Sequence, residues 1–311
     1  MIEMFIGRPT KRKWFALCLS SLIAATSILL ASAPPDKTVQ VMTSGGFSAT
    51  LIKLLPDFEK ETSIRASAVF GASMGNTLDA IPNRLARGET ADLVILTRPA
   101  LDELVKTGKV IPGSQVDLVL SNIGMVVRAG APKPDISTVT AFKRALLDAS
   151  SIAYSDSASG VYISTEMFKN LGIADQVLRK SRKIEGERVA AVVARGDAEI
   201  GFQQISELLL VPGADYVGPL PAEVQRVTIF SAGIPVGAKH PDAARTLIAF
   251  LRSPAAVQAI KDSGLEPIAV RKRGARVETP EAVPSGRRSE SLSAKRPQEV
   301  FAVCVSLAPV E

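Results

Sequence analysis

Three short stretches rich in serine and glycine each follow an apolar, β-branched run and open a helical one. They are Thr43-Ser44-Gly45-Gly46-Phe47-Ser48, Gly71-Ala72-Ser73-Met74-Gly75-Asn76 and Ser155-Asp156-Ser157-Ala158-Ser159-Gly160. A helix start presents unpaired backbone N–H groups and a partial positive charge, and glycine lets an anion approach the backbone closely. Serine hydroxyls add donors without adding charge, so such loops can hold an oxyanion by hydrogen bonds alone. The same residue types also make ordinary helix N-caps, which is how one such loop by itself reads. Three of them at the C-terminal ends of strands point to a ligand, because open α/β sheets bind there.

Groups that could do catalysis are scarcer. The single histidine, His240, sits in Lys239-His240-Pro241-Asp242, a polar loop before a helix, with no nucleophile beside it. The carboxylate pairs Glu59/Glu61 and Glu185/Glu187 fall on helix ends or loops and read as solvated. Cys18 and Cys304 lie near the two ends, so no thiol nucleophile, disulfide or cysteine metal site is available between them. No Walker loop, dinucleotide fingerprint, HExxH or G-x-S-x-G is present. The expectation is a non-enzymatic protein with no cofactor and no metal.

Alternating strands and helices must position the three loops. Strand patterns at 38–42, 64–70 and 93–96 interleave with helical spacing at 47–60, 74–87 and 100–107. A second series follows, with strands at 122–128, 151–154, 199–202 and 227–235 and helices at 139–147, 161–171, 188–195, 242–251 and 255–263. Such alternation implies βαβ units and open sheets. The pattern breaks near 117–122 and returns near 226–230, which divides it into two α/β lobes, 34–120 plus 226–268 and 121–225, with a cleft between them.

Charge separates the ends from the middle. The 311 residues carry 37 Lys and Arg against 31 Asp and Glu, a net +6, yet residues 34–268 hold 25 of each sign. A basic nucleic-acid-binding core is thereby excluded. Residues 1–33 read as a signal peptide: Lys11-Arg12-Lys13, an apolar stretch from Trp14 to Leu30, then Ala31-Ser32-Ala33 as a cleavage site. An uncleaved membrane anchor is the alternative for the same segment. Residues 269–311 are basic, rich in Arg, Pro, Ser and Glu, and aperiodic. They read as a disordered tail of doubtful origin, with a shifted reading frame as one explanation.

Four segments carry a resemblance: Val41 to Phe47, Phe70-Gly71-Ala72-Ser73, Ala91-Asp92-Leu93-Val94-Ile95, and Ala198 to Glu207 (AEIGFQQISE). With the helical close from Pro241 to Pro267, they resemble the molybdate-type solute-binding proteins of ABC importers, within the type II periplasmic-binding-protein family. The likeness covers 38–267 and implies two α/β lobes, each an open mixed sheet flanked by helices, joined by two crossover strands. It also implies a periplasmic protein that captures a small anion and delivers it to an ABC permease with its ATPase. Nucleic acid plays no part, and the membrane enters only through the permease or an uncleaved signal.

Carried over by position, the family's first ligand serine falls at Gly46, with Ser44 as a nearby substitute, and its second at Ser73. Ser159 and Val189 match backbone donors, and Gln204, beside Gln203, stands where the family has a cleft tyrosine. Molybdate or tungstate is the leading ligand on this resemblance. A small organic acid anion is the competitor and a cleft enzyme the third possibility. Organic polycarboxylates recruit arginine forks, so Arg188 pointing into the cleft would favour the organic anion.

Overall fold

The computed structural model describes residues 38–268. The signal peptide or anchor expected over 1–33 and the disordered tail expected over 269–311 lie outside the described residues. Two open mixed sheets, each flanked by helices, make up the fold.

The first sheet starts with β1 (Thr38–Ser44), which feeds α1 (Gly45–Thr62) and returns through β2 (Arg65–Gly71). Next come α2 (Ile81–Ala86), β3 (Leu93–Thr97), α3 (Arg98–Lys106) and β4 (Val116–Ser121). Helix α1 forms because Phe47, Leu51, Leu54 and Phe58 recur at helical spacing and are all buried on one face. Strand β3 is buried along its whole length and reads as a continuous apolar run, as expected of a strand covered on both sides.

The chain then enters the second sheet through β5 (Ile123–Arg128). It continues with α4 (Val139–Asp148), β6 (Ile152–Ser155), α5 (Ala158–Tyr162), a π-helical turn at Ile163–Met167 and α6 (Phe168–Asn170). After these come α7 (Ala174–Val177), β7 (Ser181–Ile184), α8 (Val189–Ala194), β8 (Ile200–Gln204), α9 (Ile205–Leu208) and β9 (Ala214–Pro219). Strand β10 (Thr228–Gly233) goes back to the first sheet, which α10 (Pro241–Leu251), α11 (Pro254–Asp262) and β11 (Leu265–Pro267) complete. The strand orders are β11-β4-β10-β3-β1-β2 and β7-β6-β8-β5-β9.

Strand β1 runs parallel to β2 and β3, while β10 lies antiparallel between β3 and β4. In the second sheet β6 is parallel to β7 and β8, and β5 is antiparallel to β8 and β9. Each sheet has its own apolar core. Phe58 tilts against Phe250 at 5.6 Å in the first, and Phe142 meets Phe202 edge-on at 5.9 Å in the second.

The chain crosses between sheets at Asn122 and again between β9 and β10. There the Gln225 amide accepts from the Ile123 N–H and donates to the Ile123 carbonyl, both at 2.9 Å. The two crossings are thus tied side by side, where the sequence pattern breaks.

Two expectations need correction. The helix expected over 74–87 is confined to Ile81–Ala86. Gly75 takes a φ of 107°, and Pro82 in the first turn sets the helix start, so the segment before it stays free to carry Ser73. The helix expected over 161–171 begins earlier, at Ala158. Strands β4, β7, β9 and β11 escape the sequence pattern; β7, β9 and β11 lie at sheet edges, and charged Arg182 and Lys183 occupy β7. No helix among the described residues is long and apolar enough to cross a membrane.

Candidate active site

A cleft of about 310 Å³ opens where the two sheets meet. Its walls come from the end of β1 and start of α1 (Ser44, Gly46), the loop after β2 (Ser73, Thr77, Asp79) and the end of β3 (Thr97). The facing side supplies Asp156 and Ser157 from the loop after β6, Arg188 ahead of α8, and Gln203, Gln204 and Glu207 from β8 and α9. The loops converge here because each sits at the C-terminal end of a parallel strand, and glycine keeps them thin. A Cβ on Gly46 would collide with the Phe230 ring, and one on Gly45 with Oε1 of Glu207.

Several donors in this cleft have no protein partner. Ser44 is the N-cap of α1, yet its hydroxyl caps nothing and is buried without a hydrogen bond. The buried Thr97 hydroxyl, at the start of α3, is in the same condition, as is that of Thr77. Ser73 Oγ accepts from the Thr97 N–H at 3.1 Å, which leaves its own proton available to a ligand. Unsatisfied buried hydroxyls are costly, and a ligand oxygen would relieve them.

The remaining residues expected at the site fall into place differently. The Val189 N–H, expected as a ligand donor, is instead given to Gln203 Oε1 at 2.9 Å, because α8 starts directly against β8. Val189 is fully buried and does not line the cleft. Ser159 lies behind the wall, its hydroxyl paired with that of Ser155 at 3.0 Å, while Asp156, Ser157 and Ala158 face the opening. Gln204 lines the cleft, but its amide is committed on both sides. Its Oε1 accepts from Ser121 Oγ at 2.7 Å and its Nε2 donates to Thr228 Oγ1 at 2.9 Å. The Gln204 amide therefore fastens β8 to both crossover strands.

Glu207 is the residue that a search for acid–base pairs in the sequence overlooks. It sits in the first turn of α9 with only 8% of its surface exposed, and its carboxyl abuts Gly45 across the interface between sheets. Burial pushes its pKa up to about 7, and Asp156 pushes in the same direction. Arg188 and a hydrogen bond from Gln203 pull it back down. Asp156 is itself raised, first by burial and then by Glu185 and Asp79. Nearby Glu187 is engaged by Arg195 at 2.8 and 3.1 Å. The cleft thus combines one guanidinium, free hydroxyls and a buried carboxyl poised between charged and neutral at neutral pH. Perturbed carboxyls of this kind gather at functional sites. The only signal for Glu207 in the sequence was its place at the end of the AEIGFQQISE segment.

Residues 39–266 match the family model of bacterial extracellular solute-binding proteins. The chain is 48% identical over 265 residues to a protein of Pseudomonas sp. named aconitate isomerase, covering 85% of this chain and 98% of that one. It is 25% identical over 255 residues to the molybdate-binding protein ModA of Azotobacter vinelandii, covering 79% of this chain and 97% of that one. A solved structure of the Azotobacter vinelandii periplasmic molybdate-binding protein superposes with a TM-score of 0.62 at 18% identity, over 75% of this chain and all of the other. The two-lobed type II fold expected from the resemblance is the fold found.

The expectation of a non-enzymatic protein is overturned by the 48% identity to a protein with an enzyme's name. That expectation rested on the absence of His and Cys near the three loops, and it did not weigh the carboxylates of the cleft. The chain belongs to the family of bacterial extracellular solute-binding proteins.

Proposed function

We propose that this protein is a periplasmic isomerase acting on aconitate or a closely similar unsaturated tricarboxylic acid, with the cleft of a solute-binding protein as its active site. The observation that carries this is the 48% identity to an aconitate isomerase over nearly all of that protein. The chemistry of the cleft supports it. Arg188 lines the cavity, and a guanidinium is the usual partner of a carboxylate. On the opposite wall the free hydroxyls of Ser44 and Thr97, with Ser73 beside them, can receive a second carboxylate as neutral donors. A volume of about 310 Å³ lies at the small end of the range for organic ligands.

A bare oxyanion such as molybdate suits this cleft less well. Asp79, Asp156, Glu187 and Glu207 share the lining with one arginine and repel either anion, but only the organic acid offers the raised Glu207 carboxyl a proton to move. Closure of two lobes on the acid would exclude water and strengthen every charge interaction within. Hand-over to an ABC permease with its ATPase is compatible with turnover, because both begin from the same closed complex.

The test is to incubate the purified protein with cis- and with trans-aconitate and follow the vinylic proton resonances. Interconversion to one equilibrium mixture from both sides is the expected outcome. Unchanged substrate, together with tight calorimetric binding of molybdate, would discard the isomerase in favour of the oxyanion.

A further inference from the structure

Resting on the isomerase reading, we propose that Glu207 is the catalytic residue that moves the proton. One carboxyl takes it from the methylene carbon of the bound acid and returns it to the other end of the same allylic unit.

The geometry singles out Glu207 among the acids of the cleft. Asp79 is exposed and Asp156 partly exposed, and Glu187 is held by two bonds from Arg195. Glu207 alone is buried at the junction of the sheets, with Gly45 on one side leaving no Cβ in the way of its Oε1. The carbonyl of the Gln203 amide is pinned by the Val189 N–H at 2.9 Å, which orients the amide whose influence lowers the pKa of the neighbouring Glu207 carboxyl. Ser206, the preceding residue, donates to the Gly46 carbonyl at 2.7 Å and fixes the first turn of α9 against α1. No histidine or cysteine of the described residues lines this cleft; His240 lines a separate hollow beside Asp92.

The step balances without any co-reactant. The Glu207 carboxylate removes one proton from the CH₂ group, and the C–H electron pair enters the adjoining double bond to form an allylic carbanion. Its charge spreads into the carboxylates on the two terminal carbons, which the Arg188 guanidinium and the hydroxyls of Ser44 and Thr97 can stabilise. The neutral Glu207 carboxyl then gives its proton to the former vinylic terminus, and the double bond re-forms on the other side. The carbon skeleton of aconitate reads the same in both directions. The product therefore differs only in double-bond geometry, set by how the CH₂–carboxylate arm lay when its proton left. A carboxyl that titrates near neutrality suits both halves of this exchange. Arg188, Gln203 and Asp156 are the neighbours that tune it, and Asp79 and Glu187 are the other charges of the cleft.

The experiment compares wild type with Glu207→Gln and Glu207→Asp, using trans-aconitate carrying two deuterons on its methylene. Wild type should lose one deuteron from that carbon in each turnover, and kcat/KM should rise with pH through about 7. Glu207→Gln should lower kcat by at least about 100-fold, the lower end for removal of an acid–base group. Its calorimetric affinity for trans-aconitate should stay within a few-fold of wild type. Glu207→Asp should recover part of the rate and shift the pH profile, which a merely structural role would not do. Wild-type turnover with both deuterons kept on their carbon, or Glu207→Gln within threefold of wild-type kcat, overturns the assignment alone. A wild type that does not isomerise aconitate overturns the isomerase reading, and this assignment with it.

Discussion

At the scale of single residues, the cleft is a set of groups with unequal commitments. Ser44 and Thr97 keep free hydroxyls, whereas the Val189 N–H, the Ser159 hydroxyl and the Gln204 amide are committed to protein partners. Residue type and position alone do not separate the free groups from the committed ones; hydrogen-bond partners do. Glu207 has a consequence for stability as well. Its pKa is near 7 in the fold against an ordinary 4.5, so the native state binds its proton more tightly than the unfolded chain. Below about pH 4 both states are protonated and burial of the carboxyl carries no charge penalty. As pH rises from there to about 7 the unfolded chain releases its proton first, and stability falls. Above that the loss is complete, roughly 2–4 kcal/mol. Glu207→Gln should therefore raise the melting temperature by several degrees at pH 8 and leave it nearly unchanged at pH 4, measured by calorimetry. An equal change at both pH values would show that the carboxyl is not buried in its charged form.

At the scale of elements, strand-end loops make the site, and their tightness comes from particular glycines. Gly160 lets α5 start hard against β6, since a Cβ there would run into the Ser155 carbonyl oxygen. That obstacle is backbone and cannot swing aside. Gly160→Ala should cost about 1–3 kcal/mol by urea unfolding, the usual range for overpacking. It should also separate Ser155 from Ser159 and push Asp156 and Ser157 farther into the cleft. Most elements were legible in the sequence because apolar residues recur at helical or strand spacing, as along α1 and β3. The segment from Ala72 to Ala80 was not. Its composition suits a helix, but a left-handed Gly75 and the side chain of Asn83, donating to the carbonyls of Gly75 and Thr77, hold it in bends. Edge strands β7 and β9 were illegible for a different reason, since a strand with one open side needs few apolar residues.

At the scale of the whole molecule, two sheets communicate through two crossings and a few polar ties. Gln225 brackets Ile123, Gln204 joins β8 to Ser121 and Thr228, and Ser206 reaches Gly46 across 160 residues of sequence. Gln225→Ala would leave the buried Ile123 N–H without its acceptor. It should cost about 1–3 kcal/mol and speed hydrogen exchange at Ile123 more than in the cores of either sheet. Equal exchange everywhere would mean that the crossings are not pinned there. The sequence by itself determined the alternation of strands and helices, the electrically balanced middle of the chain and the three serine-glycine loops at strand ends. These are local properties, written in periodicity and composition. Only the tertiary structure decided which donors stay free, that Arg188 lines the cleft, and that Glu207 lies buried against Gly45. A pKa is moved by desolvation and by charges brought near in space. Neither exists until residues far apart in the chain have packed together.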